Sequence, residues 1–255
     1  MGSGEILIMP RVLLVTGSTG IAEQTALLAD GPVFIVGREA EECAALSSRI
    51  PGSGSFVCDL REEDGVAQAV RACVDRFGRI DALFNVAGIS GRRFGDGPVH
   101  ECTLEGWEIT LSNNVRSMFL MCREVIRHWL AARQEGAILN MSSVLAFSPD
   151  PTHFATHAYA ASKGAVISLT RSMAAYYAPH KIRVNAIAPA LVRTPMSLRA
   201  QSNPLLVDYV ARMMPLSGGM LEPEEVAHVA LFLLGEHSRH LTGQVIALDG
   251  GWSVS

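Results

Sequence analysis

The sequence predicts an α/β domain with a doubly wound, seven-stranded parallel sheet and helices on both faces. Three observations carry that expectation. Seven short apolar runs, rich in β-branched residues, alternate with longer stretches of helical pattern. The first of these runs leads straight into the glycine turn Gly17-Ser18-Thr19-Gly20. Gly17, Arg38, Asp59, Asn85, Ser143 and Pro189 then follow the successive runs, on the rim where ligands bind in such sheets.

In chain order, RVLLVT over 11–16 reads as a buried strand, and 21–30 as a helix closed by Gly31-Pro32. Strand 33–36 ends at Gly37-Arg38. Helix 39–50, strand 55–58, helix 62–77 and strand 80–86 follow. A long helical region covers about 103–133, then strand 137–141, a helix over about 155–177 and strand 182–187. After a stretch containing Pro, Met and Ser come helix 223–234 and the last strand, 245–248. No linker, repeat or low-complexity segment interrupts the pattern, so residues 1–255 are expected to form one domain.

Composition narrows the function. Hydrophobic residues make up 49% and charged residues 18%, enough apolar material for a large core. A net charge of −4 gives no basic excess for nucleic acid or an anionic membrane surface. Five scattered cysteines, an odd number with no CxxC pair, read as reduced and cytoplasmic, without zinc or disulfides. No apolar run approaches the ~20 residues needed to span a bilayer. The first ten residues lack the pattern of a secretory signal, and Gly2-Ser3-Gly4 reads as a flexible extension or an expression remnant.

The chemistry centres on Tyr159 and Lys163, four residues apart and so on one face of a helix. A free tyrosine titrates near 10, too high for proton exchange near neutrality, and a neighbouring ammonium would stabilise its phenolate. Alone, so short a motif is more readily explained as a half-buried tyrosine with a solvated lysine one turn on. The glycine turn opens a helix whose positive end suits a pyrophosphate. Arg38 stands just past the second strand, where a carboxylate would select NAD and an arginine can pair with a 2′-phosphate, so NADP(H) is favoured over NAD(H).

These residues belong to an ordered series: Thr16-Gly17-Ser18-Thr19-Gly20-Ile21, Cys58-Asp59-Leu60, Asn85-Val86-Ala87-Gly88, Asn114-Val115, Asn140-Met141-Ser142-Ser143, Tyr159-Ala160-Ala161-Ser162-Lys163, Arg183 to Pro189, Thr242-Gly243-Gln244 and Asp249-Gly250-Gly251. With that series the chain resembles the short-chain dehydrogenase/reductase family, in the single-domain Rossmann-type branch that includes 3-oxoacyl-carrier-protein reductases. The resemblance implies that Gly17, Ser18, Thr19, Gly20 and Ile21 hold the cofactor phosphates. It further implies that Asp59, beside Leu60, binds the adenine amino group, and that Asn85, Ala87 and Gly88 line the ribose. Pro189, Val192 and Thr194 would border the nicotinamide, with Thr194 on its carboxamide. Ser143 would bind the substrate carbonyl, Tyr159 would exchange its proton, and Lys163 would support the phenolate and the nicotinamide ribose. Asn114 would anchor a proton-relay water; Asn113 is the neighbouring alternative. Ser142 and Ser143 must point to opposite faces of their strand, so only one can serve. No metal is implied.

The departures from the family pattern are specific. Only two residues separate Gly17 from Gly20 where the family has three, and Ala22 occupies the place of a third glycine. Glu23 adds negative charge nearby. Val86 and Ala190 replace an asparagine and a glycine. The spacing from Ser143 to Tyr159 is about three residues longer than the family's, which predicts an enlarged loop over 146–156 beside the reacting carbon. His153 and His157 are expected to flank the entrance, and residues 193–216 to form a lid. The expected activity is interconversion of a ketone and a secondary alcohol, acting on a small-molecule substrate as a homotetramer by resemblance. The alternative reading is a nucleotide-binding scaffold of little or no turnover, suggested by the short glycine loop.

Overall fold

The computed structural model describes residues 11–255, so the expectations for the first ten residues lie outside it. Seven strands form one wholly parallel sheet: β1 (Leu13–Thr16), β2 (Val33–Gly37), β3 (Gly54–Val57), β4 (Ala82–Asn85), β5 (Gly136–Met141), β6 (Ile182–Pro189) and β7 (Val245–Leu248). Their spatial order is β3-β2-β1-β4-β5-β6-β7. The chain moves outward from β1 to β3 and then returns to place β4 on the other side of β1. That reversal opens a crevice beyond the carboxyl ends of β1 and β4, where ligands bind in open α/β sheets.

Nine α-helices cover the sheet among the described residues: α1 (Ile21–Leu28), α2 (Ala40–Ser48), α3 (Glu63–Phe77), α4 (Leu104–Leu111), α5 (Ser117–Ala132), α6 (His157–Tyr177), α7 (Leu198–Gln201), α8 (Pro204–Met213) and α9 (Pro223–Leu234). Strand side chains alternate between the faces, so two cores form. Leu13, Val15, Phe84 and Leu139 pack with residues of α1, α2, α8 and α9 on one face. Leu14, Leu83, Ile138 and Val184 pack with α3, α5 and α6 on the other. The continuous apolar strands of the sequence are thus strands buried on both sides. No helix among the described residues is long and apolar enough to cross a membrane.

Three local expectations are corrected. The first helix stops at Leu28, with Ala29 extended, so Gly31 is not its left-handed cap. Gly31 is needed because the backbone there passes so close to Arg11 that a Cβ would lie 2.2 Å from the Arg11 carbonyl oxygen. The helix expected over 103–133 is two α-helices joined by a π-helical turn, Ser112–Arg116, that contains Asn114. Residues 193–216, expected as a lid, hold two helices for which the sequence pattern set no bounds. Asn203 caps α8 by accepting from Leu205 N at 3.0 Å, Pro204 suits its first turn, and Leu206, Val210 and Met214 bury one face.

Candidate active site

The nucleotide side starts at the turn after β1. Gly17 has φ +100° and Gly20 φ +58°, both in the region that favours glycine. A Cβ on Gly17 would meet the Ala22 methyl at 3.3 Å, and one on Gly20 would meet Thr194 Cγ2 at 3.0 Å. Thr194 therefore lies against the glycine turn, which joins the segment after β6 to the segment after β1. Thr194 is itself fixed by a reciprocal cap with Ser197. Thr16 Oγ1 accepts from the backbone N–H groups of Val86 and Ala87 at 3.0 and 3.1 Å, locking the turn after β4 to the end of β1. Glu23 is paired with Arg49, just past the end of α2, so the negative charge expected beside the phosphate turn is offset. Ser18 donates to Glu42 at 2.8 Å, Thr19 is exposed, and Ile21 is buried in the core at the start of α1.

At the adenosine end, Arg38 is exposed beyond β2, with its Nε bonded to Glu39 at 2.9 Å. Asp59 is gripped by Arg61, whose Nε reaches its two oxygens at 2.9 and 3.0 Å; this hydrogen bonding holds the carboxyl below its ordinary value. Asp59 is therefore already engaged where the resemblance implied an adenine contact. Leu60 packs against the core. Asn85 departs further from its implied role. Its side chain is buried and donates to Asn140 Oδ1 at 2.9 Å, tying β4 to β5 rather than lining a ribose. Pro189 ends β6, and Val192 is buried beside Leu221.

The chemical side is tighter. Lys163 is only 4% exposed; its Nζ donates to Met141 O at 2.8 Å and lies 5.5 Å from the centre of the Tyr159 ring. Burial alone brings the ammonium down to about 8. Burial also pushes the Tyr159 phenol up, opposed by a hydrogen bond with Ser143. The phenol is thus raised by desolvation rather than lowered by Lys163 as expected, and Ser143 is the group that counters the rise. Ser142 turns the other way, donating to Lys163 O at 2.9 Å, as strand alternation requires.

Asn114, 2% exposed, accepts from Ile89 N at 2.8 Å and donates to Ile89 O and Ser162 Oγ at 3.0 and 2.9 Å. The π turn seats it there; such turns recur at functional sites. Asn113 instead bonds back to Ile109 O, outside this cluster. A Cβ on Gly88 would sit 2.8 Å from Asn114 Oδ1 and 3.6 Å from Lys163 Nζ, so the backbone after β4 runs directly past both groups.

Sequence reasoning missed Asp96. It lies in the glycine-rich loop before α4, is 5% exposed, and accepts from Ala158 N and Tyr159 N at 2.9 Å each. It is the remote cap of α6, whose own N-cap, Thr156, makes no side-chain cap. Only the run of glycines around it, with Gly91 and Gly95 at φ +74° and +99°, hinted at a loop built for close approach.

A sequence model described as "Enoyl-(Acyl carrier protein) reductase" matches residues 17–253. The chain belongs to the short-chain dehydrogenase/reductase family. Within that family it is 34% identical over 249 residues to the 3-oxoacyl-[acyl-carrier-protein] reductase FabG of Thermotoga maritima, covering 94% of this chain and 97% of that one. Two solved structures superpose with TM-scores of 0.85, each covering 96% of this chain and 99% of its own. One is the 3-ketoacyl-(acyl-carrier-protein) reductase of Brucella melitensis with NADH, 31% identical; the other is ElxO with NADP bound, 28% identical.

Proposed function

We propose that this chain is an NAD(P)(H)-dependent oxidoreductase, favouring NADP(H), that interconverts a ketone and a secondary alcohol. The observation that carries the reading is the convergence of Ser143, Tyr159, Lys163 and Asn114 next to the turn after β4. The dinucleotide fits the crevice on independent grounds. Two positive-φ glycines present backbone at the head of α1, and Gly88 lets the backbone after β4 pass close against Asn114 and Lys163. Thr194, against Gly20, would stand over the nicotinamide end, and the exposed Arg38 would face the adenosine 2′ position.

When bound, the nicotinamide supplies or receives the hydride. Ser143 orients the substrate by donating to its carbonyl oxygen. Tyr159 gives its proton to that oxygen in reduction and removes it from the alcohol in oxidation. A phenol pushed up by burial is a proton holder until the oxygen develops negative charge. Lys163, still mostly cationic at neutrality, limits the cost of the resulting phenolate. Asn114 holds the Ile89 backbone and the Ser162 hydroxyl, and through the π turn offers the relay position. All five cysteines are free, which suits a reducing cytoplasm, and a homotetramer remains the proposed assembly.

The test is a panel of ketones with NADPH and NADH, read by absorbance of the reduced nicotinamide. Turnover with a higher kcat/KM for NADPH is the expected result. Cofactor binding without turnover of any ketone would point instead to a nucleotide-binding scaffold.

A further inference from the structure

Three loops that follow β4, β5 and β6 meet on the substrate half of the rim, away from the β1–β3 half that would take the adenosine. Their meeting point is strongly positive. Arg92 Nη2, from the loop after β4, and Arg199 Nη2, from α7, both donate to the carbonyl oxygen of His153 in the enlarged loop after β5, at 3.3 and 3.2 Å. Two guanidiniums on one oxygen repel each other, and burial together with the Arg92 charge lowers Arg199 from its ordinary value. Among the described residues, no carboxylate forms an ion pair with either arginine.

The loop's single carboxylate, Asp150, does not fill that role. It is 5% exposed, accepts from His153 N and Phe154 N, and takes the Tyr209 hydroxyl on its second oxygen. Tyr209 in turn stacks edge-on against His153 at 4.5 Å and carries a third cation, Arg212, 6.0 Å from its ring centre. Each guanidinium has five N–H donors and uses one of them on His153, so most of the donor capacity is free. Two exposed, adjacent guanidiniums without a carboxylate partner, held on the loop that joins Ser143 to Tyr159, match a planar or tetrahedral anion in charge and donor geometry.

We propose that Arg92 and Arg199 form a subsite for an anionic group, a carboxylate or a phosphate, carried on the substrate away from the reacting carbonyl. This rests on the reading of the cleft as a carbonyl-reducing site, and it makes acidic ketones the substrate class. The anion can belong to a small keto acid or to a phosphate of a thioester carrier, and matched ligand pairs separate the two sources.

The test is calorimetric titration of 5-oxohexanoate against its methyl ester, and of acetoacetyl-coenzyme A against S-acetoacetyl-N-acetylcysteamine. Wild type, Arg92→Gln, Arg199→Gln and the double variant are compared, with and without NADP. In at least one pair the charged member is expected to bind wild type about tenfold or more tightly than its neutral partner, the range of one charge-assisted hydrogen bond. The double variant should lose that advantage while binding the neutral partner unchanged. Added salt should shrink the wild-type ratio, a check that needs no variant to fold. Equal binding within both pairs, or a double variant that weakens charged and neutral ligands by the same factor, would make the arginines mere staples of the 146–156 loop. Turnover of the same compounds keeps the two claims apart. Tight charged ligands that are never reduced would sink the reductase reading and leave the subsite. Reduction without charge preference would do the reverse.

Discussion

At the scale of single residues, Lys163 has the clearest thermodynamic signature. Its ammonium moves from an ordinary 10.5 down to about 8 in the fold, because burial penalises the charge. Between those values the folded state binds fewer protons than the unfolded chain, so stability rises with pH across that window. The penalty is fully present below pH 8 and amounts to about 3 kcal/mol at 1.4 kcal/mol per pKa unit. Lys163→Met should therefore be inactive yet more stable than wild type in urea at pH 7, with the gap closing as pH rises from 8 towards 10. A variant less stable at pH 7, by a margin that pH does not change, would contradict the burial account. Arg38 makes a second prediction. Arg38→Asp should reverse the proposed preference for NADPH, because a carboxylate repels a 2′-phosphate; a wild-type enzyme with higher kcat/KM for NADH would remove Arg38 from that role. Tyr159 and Lys163 were legible as a pair because their four-residue spacing is a local property of a helix, whereas Asn114 was singled out only by the register that the family resemblance implies. The burial of Asn85 was not legible, since it depends on Asn140, which pairs with it only across β4 and β5.

At the scale of elements, α6 and the glycine turn set the geometry. Asp96 holds two N–H groups at the start of α6, one of them Tyr159's own. Removing that cap should cost about 1–2 kcal/mol and let Tyr159 drift from Ser143. Asp96→Ala is expected to lower both the melting temperature and kcat, with Asp96→Asn recovering part of each. An alanine variant with unchanged kcat would confine Asp96 to folding. The turn after β1 has lost one loop residue, and so one backbone donor. Inserting a serine after Ser18 should tighten NADPH binding about tenfold, the value of one such bond. Weaker binding after insertion would show that the short turn is a working alternative. Helix 223–234 and strand 245–248 were read to the residue because Pro223 and the apolar run VIAL mark their limits. α7 and α8 escaped because α7 has only four residues, too few to show a period, and prolines break the stretch. The π turn is invisible to a 3.6-residue pattern, since one extra residue leaves the apolar face nearly in register.

At the scale of the molecule, the doubly wound topology opens a crevice at the β1–β4 reversal and gathers Ser143 from the end of β5, Asn114 from the π turn, and Tyr159 and Lys163 from the start of α6. The alternation of elements made that architecture readable. The traffic of charges over the rim was not, because Arg49, Arg92 and Arg199 reach partners 26, 61 and 46 residues away. The central claim is that this rim performs proton transfer through Tyr159 while the crevice holds the cofactor independently of it. The most direct measurement is steady-state ketone reduction beside NADPH titration, in wild type and Tyr159→Phe. The account predicts nearly unchanged NADPH affinity and a fall in kcat of at least about 100-fold, the lower end of acid–base catalysis. Retention of more than about a tenth of wild-type kcat by Tyr159→Phe would contradict it.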